Sequence, residues 1–296
     1  MALNDENKIA VFRTLAEALG LARTLVLPFI VLSLLFALPN QALDASGVME
    51  TLNTYTSQVQ EGGGALAAFP LSEMLIALVV GFVVLSGFGI FWYRYLLLGR
   101  QGALKFGFAA LNGMVWRFTG YGLLVMGVGL VVFSIATAIA CALCFLLKGL
   151  LGQDSTLLTA MLYGPIFVLA YVVPLSFAAR TSLVFPAIAI GDAATLADAW
   201  AASKESGAAL VWAILIAAVP FTVLSYAIHS AAGAAFGIDL LAGSTATAQA
   251  YWWLAIALSP VANLTLAFVL AVIAVAYRDL MSRESAVTAA RESFAY

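Results

Sequence analysis

Six long apolar runs alternate with shorter, half-polar stretches along this chain. A bilayer's hydrocarbon core is about 30 Å thick and a helix rises about 1.5 Å per residue, so each run of about 20 apolar residues predicts one spanning helix. The expected spans are 24–38, 71–93, 119–147, 157–179, 208–228 and 251–277. Leu21 and Ala22 extend the first, with Arg23 snorkelling at its base. Barrel strands would alternate apolar and polar residues, whereas these runs are apolar all round, which excludes a β-barrel. The expected fold class is all-α, a polytopic membrane helical bundle with six transmembrane helices.

The half-polar stretches carry a second pattern. Three of them, at 4–20, 99–117 and 186–206, each lead into a pair of spans. In the first, Ile9, Phe12, Ala16 and Leu19 share one helical face, and Glu6, Arg13 and Glu17 share the other. The second places Leu104, Phe108, Leu111 and Val115 on one side, but its glycines at 99, 102, 107 and 113 weaken it as a helix. In the third, Asp192 is the expected N-cap. Leu196, Ala199, Trp200 and Ser203 then face one way, and Thr195, Asp198, Ala202 and Glu205 the other. Such amphipathic helices either bury an apolar face at the headgroup boundary or dock under the bundle, and the sequence leaves both open.

Each pair of spans ends in an arginine, at Arg94, Arg180 and Arg278. This order is consistent with a threefold hairpin repeat, with units 1–98, 99–185 and 186–296 inside one integral membrane domain and no soluble domain. The outer segment 40–70 reads as a polar loop with Gly62, Gly63 and Gly64 as a flexible joint. Residues 229–243 read as an outer interfacial helix, and the segment beyond Arg283 as a fraying tail.

Composition narrows the class. With 64% hydrophobic and 9% charged residues, the polar surface is too small to cover a water-soluble fold. A net charge of −2 argues against general nucleic-acid affinity. Basic loops stay in the cytoplasm, and an inside N-terminus leaves only Lys148 among the lysines and arginines outside. The expected topology has both termini cytoplasmic. Trp92, Tyr93, Tyr95, Trp116, Tyr121, Trp212 and Tyr277 are expected as anchors at the inner interface, and Tyr226, Tyr251, Trp252 and Trp253 at the outer one. The early Asn4, Asp5 and Glu6 do not suit a cleavable signal, so the first span is expected to act as an uncleaved insertion signal.

Reactive chemistry is sparse. Cys141 and Cys144 have CxxC spacing, but an apolar span stabilises no thiolate. His229 is the only histidine and has no acidic neighbour in sequence, and no GxSxG is present. Glu73 sits at the outer start of a span, where it can stay solvated. Asn263 is the polar side chain expected to lie deepest, and a buried amide there predicts an interhelical hydrogen bond. Pro28, Pro165, Pro174, Pro220 and Pro260 lie within spans and predict kinks. Gly81, Gly87, Gly89, Gly120, Gly122, Gly127 and Gly129 predict close helix contacts in a compact bundle. Arg94, Arg180 and Arg278, at one depth, read either as anionic-headgroup ligands or as topological anchors. No catalytic residue, metal-ligand set or cofactor is expected.

The stretch from Arg180 through Leu183, Pro186 and Ala187 to Ile190, followed by Leu196, Trp200, Ser203 and Lys204, resembles a known pattern. It is similar to uncharacterised bacterial six-span membrane proteins related to the membrane domain of glycerophosphoryl diester phosphodiesterases. The segment from Trp92 to Gly99 resembles a phrase in proteobacterial membrane proteins. The resemblance implies a bacterial inner-membrane protein of unassigned activity. A single histidine cannot supply the phosphodiesterase constellation, so no catalytic residue is carried over. The expected role is non-enzymatic: a lipid-interacting or accessory scaffold whose partners are membrane lipids or another membrane protein. The alternative is a small-molecule transporter or permease. Three hairpins resemble mitochondrial carriers in plan, yet Pro28 is followed by Phe29, Ile30 and Val31 rather than a charged signature.

Overall fold

The computed structural model describes residues 10–60, 70–105, 108–151, 172–237 and 252–294. Its helices are α1 (Val11–Thr24), α2 (Val26–Ala45), α3 (Val48–Gln60), α4 (Leu71–Ala103) and α5 (Phe108–Leu151). They continue with α6, described over 172–181. Then come α7 (Val184–Ile190), α8 (Leu196–Ala202), α9 (Gly207–Phe236) and α10 (Trp252–Phe294). No strand occurs among the described residues. Six segments are long and apolar enough to cross a membrane: Val26–Ala45, Leu71–Ala103, Ala110–Leu143, Val172–Ile190, Gly207–Phe236 and Trp252–Ser282. The chain is a multi-pass helical membrane protein.

Helix α10 is the hub. It packs against α9, α1, α2, α4 and α7. Small side chains let the helices close on it: Ala267, Ala271, Ala274 and Ala276 are buried along one length of the helix. Trp92 on α4 is 1% exposed and donates its indole N–H to the Ala267 carbonyl at 2.8 Å. Its ring lies against Phe88 and Phe29. Ser259 Oγ donates to the Ser33 carbonyl at 3.1 Å, joining α10 to α2. Trp92, the fully buried Tyr93 and Tyr277 are therefore core residues, not the interface anchors expected from their position at a span end. Of the expected anchors, Trp116 and Trp212 at one end and Tyr226 and Trp252 at the other are each more than half exposed.

Several segments differ from the sequence reading. The segment 40–60, expected as a polar outer loop, is helical: α2 runs on to Ala45, and α3 packs on α4 and α2. Gly62–Gly64, Pro165 and Tyr251 lie outside the described residues, as do 238–243 and the fourth span before residue 172, whereas 229–236 continue α9 rather than form a separate helix. The second leader is not a separate helix. A bend ends at Lys105, and from Phe108 one helix of 44 residues continues through the third span. The third leader is split. Val184, Ala187, Ile188 and Ala189 are fully buried and form part of the core, because α7 turns inward against α4, α5 and α10. The residues after Gly191 run along the surface, with Ala199, Ser203 and Ser206 turned inward. The chain beyond Arg283 continues as helix to Phe294.

Glycine has two separate roles here. A Cβ on Gly87 would sit 2.6 Å from the Phe36 ring, and one on Gly89 would sit 2.9 Å from Phe118, so both allow close helix contact. Gly81, Gly120, Gly127 and Gly129 face open space. Helix α5 is accordingly peripheral, with its main contacts on α4 and α7.

Candidate functional site

The three span-end arginines all lie at one end of the bundle, and each clasps a surface segment. Arg94 is 5% exposed. The helix that carries it breaks at Gly99, where φ is +68° and ψ is 179°, a conformation open in practice to glycine alone. The chain folds back there and returns its carbonyls to the guanidinium. Arg94 Nε donates to the Ala103 carbonyl at 3.1 Å, and Nη2 donates to the Gly102 and Lys105 carbonyls at 3.2 and 3.3 Å. Nη1 donates to the Ala189 carbonyl at 2.8 Å. That last carbonyl belongs to the end of α7. There Gly191, in a left-handed conformation, closes a Schellman motif: its N–H meets the Ile188 carbonyl at 3.0 Å, and the Asp192 N–H meets the Ala187 carbonyl at 2.9 Å. The motif satisfies two of the four orphan carbonyls at a helix end, and Arg94 takes a third. A Gly99→Val variant is expected to lose about 1–3 kcal/mol through backbone strain, read as a lowered unfolding midpoint in detergent.

Arg180 and Arg278 are more open. The Arg180 guanidinium lies 3.6 Å above the Trp200 ring, and donates to Ser203 Oγ and to the Trp200 carbonyl, both at 3.2 Å. It thereby caps the end of α8 with a cation on the negative end of the helix dipole. Gly207 leaves room for its stem, since a Cβ there would sit 3.0 Å from Arg180 Cδ. Arg278 Nη2 meets Glu17 Oε2 on α1 at 2.6 Å, and Glu17 also accepts from Arg13 Nε at 3.3 Å. Arg94 thus holds the segment after span two, Arg180 the segment after span four, and Arg278 the segment before span one. The arginine pattern was legible in sequence. The carbonyl cage around Arg94 was not, because its acceptors lie on two helices nearly 90 residues apart.

The leader faces are also rearranged. On α1, Thr14 and Ala18 are buried and Val11, Leu15 and Ala22 pack on the core. The face expected to be apolar, with Phe12 at 79% and Leu19 at 53% exposure, is the one left outside, beside exposed Arg23. On α8 the N-cap is Thr195, not Asp192. Thr195 Oγ1 accepts from the Asp198 N–H, and Asp198 Oδ2 accepts from the Thr195 N–H at 2.8 Å, a reciprocal capping box. Asp192 accepts the Tyr277 hydroxyl at 3.2 Å and the Ala193 N–H at 2.7 Å. The hydrogen bonds from Thr195 hold the Asp198 carboxyl below its ordinary range. A depressed folded-state value adds stability above the unfolded carboxyl pKa of about 3.9, and that stability is lost as pH falls through the folded value. Trp200 fluorescence is therefore expected to shift below about pH 4, and a Thr195→Ala variant is expected to move that shift upward.

The other sequence candidates are dispersed. Asn263 is half-buried on α10, and among the described residues its amide has no hydrogen-bond partner. Polar links between helices come from hydroxyls instead: Thr222 and Thr265 at 3.3 Å, and the buried pair Ser86 and Thr119 at 2.8 Å. His229 Nδ1 bonds the Ser225 carbonyl at 2.8 Å, and Ser72 Oγ donates to Glu73 Oε2 at 2.7 Å. Cys141 is exposed, and the Cys144 side chain lies outside the described ones. No group of three or more metal-ligating side chains occurs among the described residues.

Two concavities accompany the arginine-bearing end. One, of about 650 Å³, lies between α8, the turn before it and α10, with Asp192, Asp198 and Tyr277 among a lining of alanines. The other, of about 640 Å³, is an apolar groove between α5 on one side and α4, α6 and α10 on the other. No protein-family model, curated protein or solved structure matches the chain.

Proposed function

We propose that the chain is a non-enzymatic bacterial inner-membrane protein with both ends cytoplasmic, whose arginine-bearing end engages anionic lipid in an accessory or scaffolding role. The supporting observation is a set of exposed apolar side chains, each beside an exposed cation. On α1 Phe12 precedes Arg13 and Leu19 lies one turn before Arg23, Leu104 precedes Lys105 at the bend, and Trp116 precedes Arg117 on α5. Apolar groups that enter the headgroup boundary while their neighbours meet phosphate are the mark of a surface-seated segment. Arg94 holds the bend that presents Leu104 and Lys105, and Arg278 holds α1, so these two act here as struts.

Each cation near an anionic surface contributes about 1 kcal/mol, or about fivefold in lipid preference. The test replaces Arg23, Lys105 and Arg117 together by glutamine. Native mass spectrometry of the purified protein, equilibrated with mixed anionic and zwitterionic lipid, then reads the anionic excess. That excess is expected to fall at least about tenfold. A folded triple variant with undiminished anionic preference removes this reading.

A further inference from the structure

We propose that α7 is a latched lid at the arginine-bearing end of the bundle, that Arg94 is its latch, and that the phosphate of an anionic lipid releases it. The trigger rests on the lipid-engaging reading above. The latch does not.

The helix is a short rod between two pivots. Pro186 has no N–H to give the Ser182 carbonyl, so the fourth span breaks there, and the Phe185 N–H takes that carbonyl at 3.1 Å. At the far end Gly191 holds φ at +89°, in the left-handed region that glycine adopts without strain. Just beyond it, Asp192 is pinned by the Tyr277 hydroxyl at 3.2 Å. Between these pivots the rod is free to roll outward as a unit, and Ala187, at its middle, travels furthest.

What keeps the rod in place is polar. Val184, Ala187, Ile188 and Ala189 are fully buried, and in water that burial alone would lock the helix. The stretch Val172–Ile190 is apolar enough to lie in a membrane, where lipid tails match the core and packing gives a much weaker preference. Among the described residues, one hydrogen bond ties α7 to another helix: Arg94 Nη1 to the Ala189 carbonyl at 2.8 Å. The seat of the lid is also imperfect. Phe185 of α7 stacks on Phe118 at 4.7 Å, Phe118 lies 6.3 Å from the Tyr93 ring, and the buried Tyr93 hydroxyl has no hydrogen-bond partner among the described residues. An orphan hydroxyl weakens the closed arrangement.

Phosphate is the competitor that the chemistry selects. A guanidinium binds an ionised oxygen roughly twice as strongly as a neutral carbonyl, and its planar fork suits phosphate. Nη1 is the donor at stake. Nε and Nη2 stay on the carbonyls of the bend, which presents exposed Leu104 and Lys105. A headgroup that meets Lys105 is thereby brought to the latch.

The test times alkylation of Ala187→Cys by N-ethylmaleimide, in a chain whose Cys141 and Cys144 are replaced by serine. The protein sits in nanodiscs of phosphatidylcholine, with or without phosphatidylglycerol. Labelling is expected to be at least about tenfold faster with phosphatidylglycerol, the effect of one charge-assisted hydrogen bond. Inorganic phosphate added to phosphatidylcholine discs is expected to leave the rate unchanged. Adding Arg94→Met is expected to give the fast rate in both lipids, and adding Arg278→Gln to keep the parent's response. Ala271→Cys, equally buried on α10, reports global unfolding and is expected to stay unreactive throughout. Equal rates in the two lipids overturn the proposal. So does acceleration by inorganic phosphate alone, or an Ala271→Cys rate that rises in step with that of Ala187→Cys. A slow Arg94→Met rate in phosphatidylcholine removes the latch. The surface-charge variant separates the two ideas: undiminished anionic preference there removes the lipid-engaging reading, whereas a fast Arg94→Met rate in phosphatidylcholine supports the latch without it.

Discussion

Replacing Arg94 by methionine is expected to destabilise the folded protein by about 3–5 kcal/mol, the largest effect of any single substitution at the arginine-bearing end. Methionine matches the stem but donates nothing. Four carbonyls would lose a charged donor together: Gly102, Ala103 and Lys105 at the bend, and Ala189 at the end of α7. A hydrogen bond to a charged group is worth about 1.5–3 kcal/mol, and buried acceptors left bare cost about 1–3 kcal/mol each. Those terms overlap, since the bend can partly open to water, so their full sum is not realised. Lysine should recover only part of the loss, because one ammonium cannot span acceptors that a planar fork reaches on two sides. The unfolding midpoint in detergent measures both variants. Arg278→Gln is the contrast: Arg278 is exposed and its partner Glu17 half-buried, and the loss is expected to stay below about 1 kcal/mol. Equal midpoints for the Arg94 and Arg278 variants would remove the carbonyl cage as a structural element. Gly99→Val should be less than additive with Arg94→Met, because both undo the same bend.

Trp92→Ala is expected to cost about 3 kcal/mol, at the lower end of the range for such truncations in water-soluble cores. The reason is the solvent. In a bilayer the unfolded reference is already apolar, so little transfer energy is lost, and what remains is the unfilled cavity among Phe29, Phe88 and α10. Trp92→Phe keeps most of the volume and loses only the donor to the Ala267 carbonyl, so about 1 kcal/mol is expected. If alanine and phenylalanine were to lower the midpoint equally, the hydrogen bond rather than the packing would hold α4 to α10.

What the sequence by itself determined is the solvent and the class of fold. Runs of apolar residues long enough to cross hydrocarbon must satisfy their backbone internally, and a helix is the only local way to do that. That argument needs no tertiary contact, and it yields six spanning helices, five of them at nearly the right places, while the fourth is described only from residue 172. The repeated arginine at span ends was equally visible, since charge stands out in an apolar chain.

Which face of each helix turns inward was decided only by the tertiary structure. In water, an apolar stripe marks the buried side. In a bilayer both sides are apolar, and small residues and close fit choose between them. Thus Ala18 and Thr14 dock α1 while Phe12 stays outside, Trp92 enters the core, and the segment 184–190 after Arg180 folds inward. The same reason hides the Arg94 cage and the groove beside α5. Both depend on where separate helices come to rest, and hydropathy along one chain carries no record of that.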